Sequence, residues 1–233
     1  MNDHKKCLEK AVKAGGKVLK SYFGQGLEVT QKSTLADFRT KADLESEAAI
    51  IAVLEKDFSG YNIHSEEKGV VENGSEYTFV IDPLDGTNNF ILGLPYVAVA
   101  IALVQKETTI AAAVYNPITD QFYFAEKSKG AFLNGKQIRV NGETNIQKAT
   151  VSYICGYENS REYWKRLDDS LSAFPVKRKI SMWAPSLDFC LLASGKIECI
   201  VNNNPDGDHD VLPGKLIAKE AGAIVTDWNG KPE

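Results

Sequence analysis

Apolar positions between residues 3 and 23 repeat with a helical period. Leu8, Ala11, Val12, Val18, Leu19 and Tyr22 fall near one stripe, and Phe23-Gly24 closes it where a C-terminal glycine belongs. A polar, strand-like stretch containing Lys32 and Asp37 follows. The helical period returns over 43–58, with Leu44, Ala48, Ile51 and Leu54 on the apolar face, so Asp43 stands at a helix N-terminus where free N–H groups favour a carboxylate. From Tyr61 the period shortens, and 61–65 and 77–81 predict two short strands, each running into acidic residues. Residues 95–104, 109–115 and 121–126 predict three sheet strands, and Gly130 with the Asn134-Gly135 turn carries the sheet on to 137–140. Beyond them the pattern predicts strand 151–155, helix 161–171, strand 177–180, helix 185–193, strand 198–201, helix 211–220 stopped by Gly222, and strand 223–226.

These elements do not alternate as strict βαβ units, which favours layered sheets and helices, an α/β (α+β) class, over one doubly wound sheet. A break near 141–150 divides a single domain, 1–233, into two subdomains: an α+β part over about 1–145 and an α/β part over about 146–233. With 233 residues, 43% hydrophobic and 25% charged, the chain is long and apolar enough for a large core, which excludes disordered and fibrous classes. Its net charge of -4 argues against a nucleic-acid or anionic-membrane surface. No apolar run approaches the roughly 20 residues that span a bilayer, and the N-terminal MNDHKKCLEK lacks the apolar core of a signal peptide, so a cytoplasmic protein is expected. Cys7, Cys155, Cys190 and Cys199 form no CxxC pair and sit among apolar neighbours, as buried thiols do; disulfides and zinc are not expected.

Candidate chemistry concentrates in Val80-Ile81-Asp82-Pro83-Leu84-Asp85-Gly86-Thr87-Asn88-Asn89-Phe90. A buried-type strand ends in two carboxylates bracketing a rigid proline turn, so both acids, with the Leu84 carbonyl between them, face one point. That all-oxygen set suits Mg²⁺ rather than zinc. Gly86 and Thr87 present small side chains and backbone N–H groups that let a phosphate approach closely. Each piece also has a plain reading, because Asp-Pro and Asp-Gly are common turn dipeptides. Two further acidic clusters change the balance: Ser65-Glu66-Glu67 ends a strand, and Asp206, Asp208 and Asp210 approach the last helix. Singly these are solvated charges or helix caps. Acids at three element ends, brought together, repel unless cations hold them, and divalent metal is the economical explanation.

Taken together, these residues make the chain resemble the inositol monophosphatase family of Mg²⁺-dependent, lithium-sensitive phosphatases. The family's Asp-Pro-(Ile/Leu)-Asp-Gly-Thr segment matches Asp82 to Thr87 with Asn89-Phe90; its Glu-Glu element matches Glu66-Glu67; its Thr-x-x-Asp element matches Thr40 and Asp43, with Lys32 in its expected place. A late Trp-Asp opening a helix that ends in Glu-Ala-Gly matches His209-Asp210 and Glu220-Ala221-Gly222. The resemblance implies a layered αβαβα sandwich of the inositol monophosphatase and fructose-1,6-bisphosphatase type. It implies that Glu66, Asp82, the Leu84 carbonyl, Asp85 and Asp210 hold two or three Mg²⁺ ions, and that Thr87, Asp43 and Glu66 are the catalytic residues. Asp85, Gly86, Thr87, Asn88 and Asn203 are then the phosphate and substrate contacts. It further implies a homodimer, with a small sugar or polyol phosphate as the molecule bound.

The chain departs from the pattern in places. His209 replaces a tryptophan and reads as a packing or capping residue; Asn88 replaces a threonine. Asn202-Asn203-Asn204 stands where the family has a substrate-contacting acid, and Met182-Trp183-Ala184-Pro185 replaces a Gly-Ser pattern beside the substrate pocket, so inositol itself is in doubt. The C-terminus is shorter than usual for the family. The expected activity is a Mg²⁺-dependent phosphomonoesterase acting on a small polyol or sugar phosphate, inositol 1-phosphate among them. Fructose-1,6-bisphosphatase, histidinol-phosphatase and nucleotide 3′-phosphatase activities are alternatives. A rival class, the aspartyl-phosphate phosphatases, has its two aspartates two residues apart, whereas Asp82 and Asp85 are three apart. The non-catalytic alternative is a metal- or sugar-phosphate-binding homologue that keeps the fold.

Overall fold

The computed structural model describes residues 3–32, 37–156, 161–173, 175–203 and 208–232. Its first two helices follow from the amphipathic stretches: α1 (Asp3–Tyr22) and α2 (Lys41–Phe58). α1 buries Leu8, Ala11, Val12 and Leu19 against α2. A Cβ on Gly15 would lie 2.7 Å from Ser46 Oγ and 2.8 Å from Ile50 Cδ1, so the bare backbone there is what lets the two helices meet. α2 starts two residues before the predicted Asp43, because Thr40 is its N-cap: the Thr40 side chain accepts from the Ala42 N–H, and Asp43 accepts from the Thr40 N–H. Such a capping box contributes about 1 kcal/mol to the helix end.

Between these helices, β1 (Val29–Gln31) and β2 (Phe38–Thr40) pair antiparallel. β3 (Asn62–Ser65), β4 (Gly69–Val71), β5 (Tyr77–Asp85), β6 (Ala98–Gln105), β7 (Thr108–Asn116), β8 (Gln121–Glu126), β9 (Ala131–Leu133) and β10 (Lys136–Ile138) form one eight-stranded sheet in the order β10-β9-β8-β7-β6-β5-β3-β4. All its neighbours pair antiparallel except β3 with β5, which run parallel. A short helix, α3 (Thr87–Leu92), follows β5. The second sheet is three parallel strands in the order β12-β11-β13, from β11 (Thr150–Cys155), β12 (Arg178–Ile180) and β13 (Cys199–Asn203). With it come α4 (Arg161–Ser172), α5 (Pro185–Ala193) and α6 (Asp208–Glu220).

The central strands read as unbroken apolar runs because both their faces are covered. Val99, Ile101 and Leu103 of β6 pack toward α1 and α2, while Ala98 and Ala100 on its other face pack toward α5 and α6. Small alanines on that face, joined by Ala112 of β7, let α6 lie close to the sheet. A third cluster, Ile154, Phe189 and Ala218, joins those helices to the smaller sheet. The layers thus run helix, sheet, helix, sheet, the first four of the expected αβαβα arrangement.

Several expectations need correction. Residues 223–226 form no strand: Ala223 donates to the Ala218 carbonyl at the end of α6, Ile224 is 88% exposed, and Thr226 makes an isolated bridge with Pro232. α6 begins at Asp208 rather than Val211, which places Asp208 and Asp210 inside its first turn instead of before it. The turn expected at Pro83 is instead an irregular stretch of β5 itself. β4, β9 and α3 are too short to register as a period. Cys7 and Cys190 are buried, but Cys199, at the start of edge strand β13, is exposed. Among the described residues no helix is long and apolar enough to cross a membrane.

Candidate active site

In an uninterrupted strand, residues three apart point to opposite faces. Asp82 pairs with Ala100 and Asp85 with Ala98, so three steps along β5 oppose two along β6. This bulge absorbs one residue and brings both carboxylates to the same side. Pro83 fits there because it has no N–H to give the ladder. The bulge is held at each point: Asp82 Oδ1 accepts from the Leu84 N–H at 2.9 Å, Ser46 Oγ donates to the Pro83 carbonyl at 2.8 Å, and Asp85 Oδ2 accepts from both the backbone N–H and the hydroxyl of Ser186. Gly86, at φ +90°, then turns the chain into α3; a Cβ there would lie 3.0 Å from the Tyr96 carbonyl, so the position requires glycine.

Glu66 reaches the same region because β3 runs parallel to β5, and the Glu66 N–H continues that ladder onto the Ile81 carbonyl at 3.2 Å. Glu47 anchors the loop that carries it. This buried carboxylate accepts from the Ser65 hydroxyl and from the N–H groups of Glu67 and Lys68, at 3.1 and 2.9 Å. Lys32 bridges Glu66, at 2.8 Å, and Glu67, which Arg39 also contacts at 3.3 Å. Burial works against the Lys32 ammonium, but Glu66 and Glu67 overcome it and hold its pKa above the ordinary value.

Thr87 Oγ1 stands 3.1 Å from Asp43 Oδ1 and 3.1 Å from the Leu84 carbonyl. With one proton it donates to one of them at a time, and its lone pairs remain free to accept. Asp43 is buried; desolvation raises its pKa, opposed by hydrogen bonds from Thr40, whose hydroxyl lies 2.6 Å away. Asp82 is raised well above the usual carboxylate range by burial, then by Glu66, Asp85 and Asp210. Asp85 is raised by burial and Asp210, against Ser186. Burial and Glu66 push Asp210 up to about 7. The acids from three element ends therefore share one electrostatic neighbourhood. Among the described residues, however, no three His, Cys, Asp or Glu side chains form a ready coordination shell, as four mutually repelling carboxylates would not by themselves.

The other expected residues are spread around this cluster. Asn88 lies in α3 on the wall of a cavity of about 570 Å³, together with Phe38, Ile91, Tyr153, Trp183 and Asp188. Asn203 ends β13 opposite Cys155 and does not line that cavity. His209 packs edge-on against His64, ring centroids 4.4 Å apart, a packing role as read from the sequence. Asn204 and Asp206 fall outside the described residues. Sequence reasoning missed Glu47, Ser186 and Asp188. Glu47 had a signal, lying one helical turn after Asp43 on the same face. Ser186 and Asp188 had none: Ser186 lies 101 positions from the Asp85 it supports, and Asp188 lies 92 positions from the Tyr96 hydroxyl it accepts. Asp188 accepts from the Tyr96 hydroxyl and the Ser152 hydroxyl, both at 2.7 Å, and burial raises its pKa to about 6. Asn89 ties the two sides together, donating to the Tyr96 and Met182 carbonyls at 2.8 and 2.7 Å.

Several known proteins are similar to this chain over most of its length. A fructose-1,6-bisphosphatase of Pyrococcus furiosus is 38% identical over 176 residues, spanning 74% of this chain but only 64% of the relative. A fructose-1,6-bisphosphatase/inositol-1-monophosphatase of Aquifex aeolicus is 36% identical over 97% of this chain and 87% of its own length. The crystal structure of an extragenic suppressor protein, SuhB, from Bartonella henselae superposes with a TM-score of 0.90 at 28% identity, covering 99% of this chain and 89% of that one. The model of the inositol monophosphatase family matches residues 2–233. On a match that runs nearly from end to end, the chain belongs to the inositol monophosphatase family.

Proposed function

We propose that the protein is a Mg²⁺-dependent phosphomonoesterase that hydrolyses a small sugar or polyol phosphate by direct attack of water. What carries the reading is the meeting of Asp82 with Glu66, Asp85 and Asp210, all three of which raise its pKa, beside the Thr87 and Asp43 pair. Its family is generally metal-dependent, and the donor set fits a hard cation: carboxylates and the Leu84 carbonyl, with no thiol or imidazole among them. Glu66, Asp82, Leu84, Asp85 and Asp210 would hold two or three Mg²⁺ ions, which supply charge neutralisation and a lowered pKa for bound water.

The chain's own residues do the rest. Thr87, oriented by Asp43, accepts a proton from the attacking water and passes its own to the Asp43 carboxylate, whose raised pKa suits it to receive one. Glu66 shares the positioning of that water. The backbone N–H groups of Gly86, Thr87 and Asn88, with Asp85 beside them, orient the phosphate, and Asn203 contacts the alcohol half. Phosphoryl transfer asks mainly for positioning and charge, which this arrangement supplies without a covalent nucleophile. The same reading includes inhibition by lithium, a homodimer and a cytoplasmic location.

Phosphate release from inositol 1-phosphate, fructose 1,6-bisphosphate, histidinol phosphate and a nucleoside 3′-phosphate tests it. Release from at least one with Mg²⁺, abolished by chelator, is expected. No release from any, with metal binding intact, would make the protein a binding homologue instead.

A further inference from the structure

The cavity of about 570 Å³ opens beside the Gly86-Thr87-Asn88 turn. Asn88 lines it, and so does Ala184, whose Cβ lies 3.1 Å from where a Gly86 Cβ would stand. The space therefore begins where the phosphate would sit, and it is the room available to the alcohol half of the substrate. Its volume falls within the range of about 300–1,000 Å³ that encloses drug-sized molecules, more than a bare small polyol fills.

The walls are poorly suited to hydroxyls. Phe38, Ile91, Leu92, Tyr153 and Trp183 supply most of the large side chains. Among the described residues ten large apolar side chains are exposed, and four of them, Val29, Ile91, Leu92 and Trp183, surround this one cavity; exposed apolar residues with no function are scattered singly, and a cluster of them marks a binding surface. The wall carboxylate, Asp188, already accepts from the Tyr96 and Ser152 hydroxyls. A bare polyol carries a hydroxyl on nearly every carbon, and each one buried here without a partner weakens binding. Three of the wall residues, Phe38, Tyr153 and Trp183, are aromatic, and their faces and edges favour another flat ring.

We propose that the substrate is a phosphorylated sugar or polyol bearing an aromatic substituent, with the phosphate at the acidic cluster and the ring seated against Trp183, Phe38 and Tyr153. Ile91 and Leu92, exposed in the free protein, complete the seat and are covered when the ring is bound. This rests on the phosphatase reading for the phosphate end, and on the cavity alone for the aromatic end.

Matched pairs of esters test it: phenyl β-glucoside 6-phosphate against methyl β-glucoside 6-phosphate, and 3-phenoxypropane-1,2-diol 1-phosphate against its 3-methoxy counterpart. With Mg²⁺ the wild-type enzyme should favour the phenyl member of at least one pair by about tenfold or more in kcat/KM, chiefly through KM. Trp183→Gly should bring that ratio to within about threefold of one, with the melting midpoint reporting that the variant is folded. Leu92→Asn, at an exposed position, should lower the ratio in the same direction. Equal rates within both pairs, or a ratio that survives Trp183→Gly, overturns the proposal and leaves the phosphatase reading in place. Equal rates together with loss of a dimer on Leu92→Asn would make this wall a face between two copies of the chain, which also overturns it. Saturation-transfer NMR with phenyl β-glucoside, which has no phosphate, gives a readout free of turnover and of metal. Irradiating the protein should saturate the phenyl protons more strongly than the sugar protons, and Trp183→Gly should remove the effect; its absence in the wild type removes the aromatic seat. The effect in a protein that hydrolyses no ester would instead leave the seat standing and remove the phosphatase reading.

Discussion

Two residues near the site adopt the left-handed conformation: Gly86 at φ +90°, and Trp183 at φ +54°, whose neighbour Ala184 lies 3.1 Å from where a Gly86 Cβ would stand. At Gly86 the conformation costs no side-chain strain and a Cβ would collide with the Tyr96 carbonyl. At Trp183 it costs about 1–2 kcal/mol, and the indole it aims is 57% exposed. The Gly86 side is held by a mesh of hydrogen bonds in which Ser46 and Ser186 donate and Asp43 accepts from Thr87; the Trp183 side is held by packing and the two carbonyl contacts of Asn89. One side is built to place charge to within a fraction of an ångström, and the other to present a surface. Strain retained on a half-exposed aromatic is what a wall selected for its ligand looks like.

That contrast can be broken hardest at Asp85. Asp85→Asn keeps the acceptor for Ser186 but removes a charge, and kcat/KM should fall by about 10³ or more, read together with weakened Mg²⁺ binding in a calorimeter. Wild-type turnover in this variant would remove Asp85 from the metal set. A smaller effect is expected at Thr87: Thr87→Ala should lower kcat by about 10²-fold while Mg²⁺ affinity stays within a few-fold of wild type, because the hydroxyl handles the water's proton.

The acid side should also reveal itself in stability alone. Asp82, Asp85 and Asp210 have folded pKa values above that of an unfolded aspartate, about 4, with Asp210 at about 7. Between these limits the folded chain holds protons that the unfolded chain has released, so in chelator stability should fall as pH rises from about 4 to about 7. Mg²⁺ should reverse the slope, and a melting temperature in chelator that rises over this window would contradict the clustering. The smallest effect belongs to the other side. Trp183→Gly relieves the strained backbone and gives up little buried surface, so the melting midpoint should shift by the equivalent of less than about 1 kcal/mol while KM rises. Loss of folding on this substitution would mean that Trp183 belongs to the core rather than to a ligand wall.

Much of the acidic side was legible because its spacing is local. Asp82, Leu84, Asp85, Gly86 and Thr87 lie within six consecutive residues, and Thr40 with Asp43 is a capping pattern readable from four. The bulge was not legible: a proline between two aspartates reads equally well as a turn, and only pairing with β6 shows that the strand continues through it. Strand 223–226 was overread for a related reason, since an apolar alternation has no strand to join where no partner edge lies alongside.

Helix period, buried strand runs and the order of the acidic elements are properties of neighbours along the chain, and the sequence determined them by itself, together with the family they imply. The parallel register that sets Glu66 beside β5, the bond from Ser186 to Asp85 across a hundred positions, and the meeting of Tyr153 with Lys179 at one cavity wall were decided only by the tertiary structure. Contacts of that kind depend on how sheets and helices stack, and the free energy that selects the stacking is spread over the whole core rather than written at the residues it brings together.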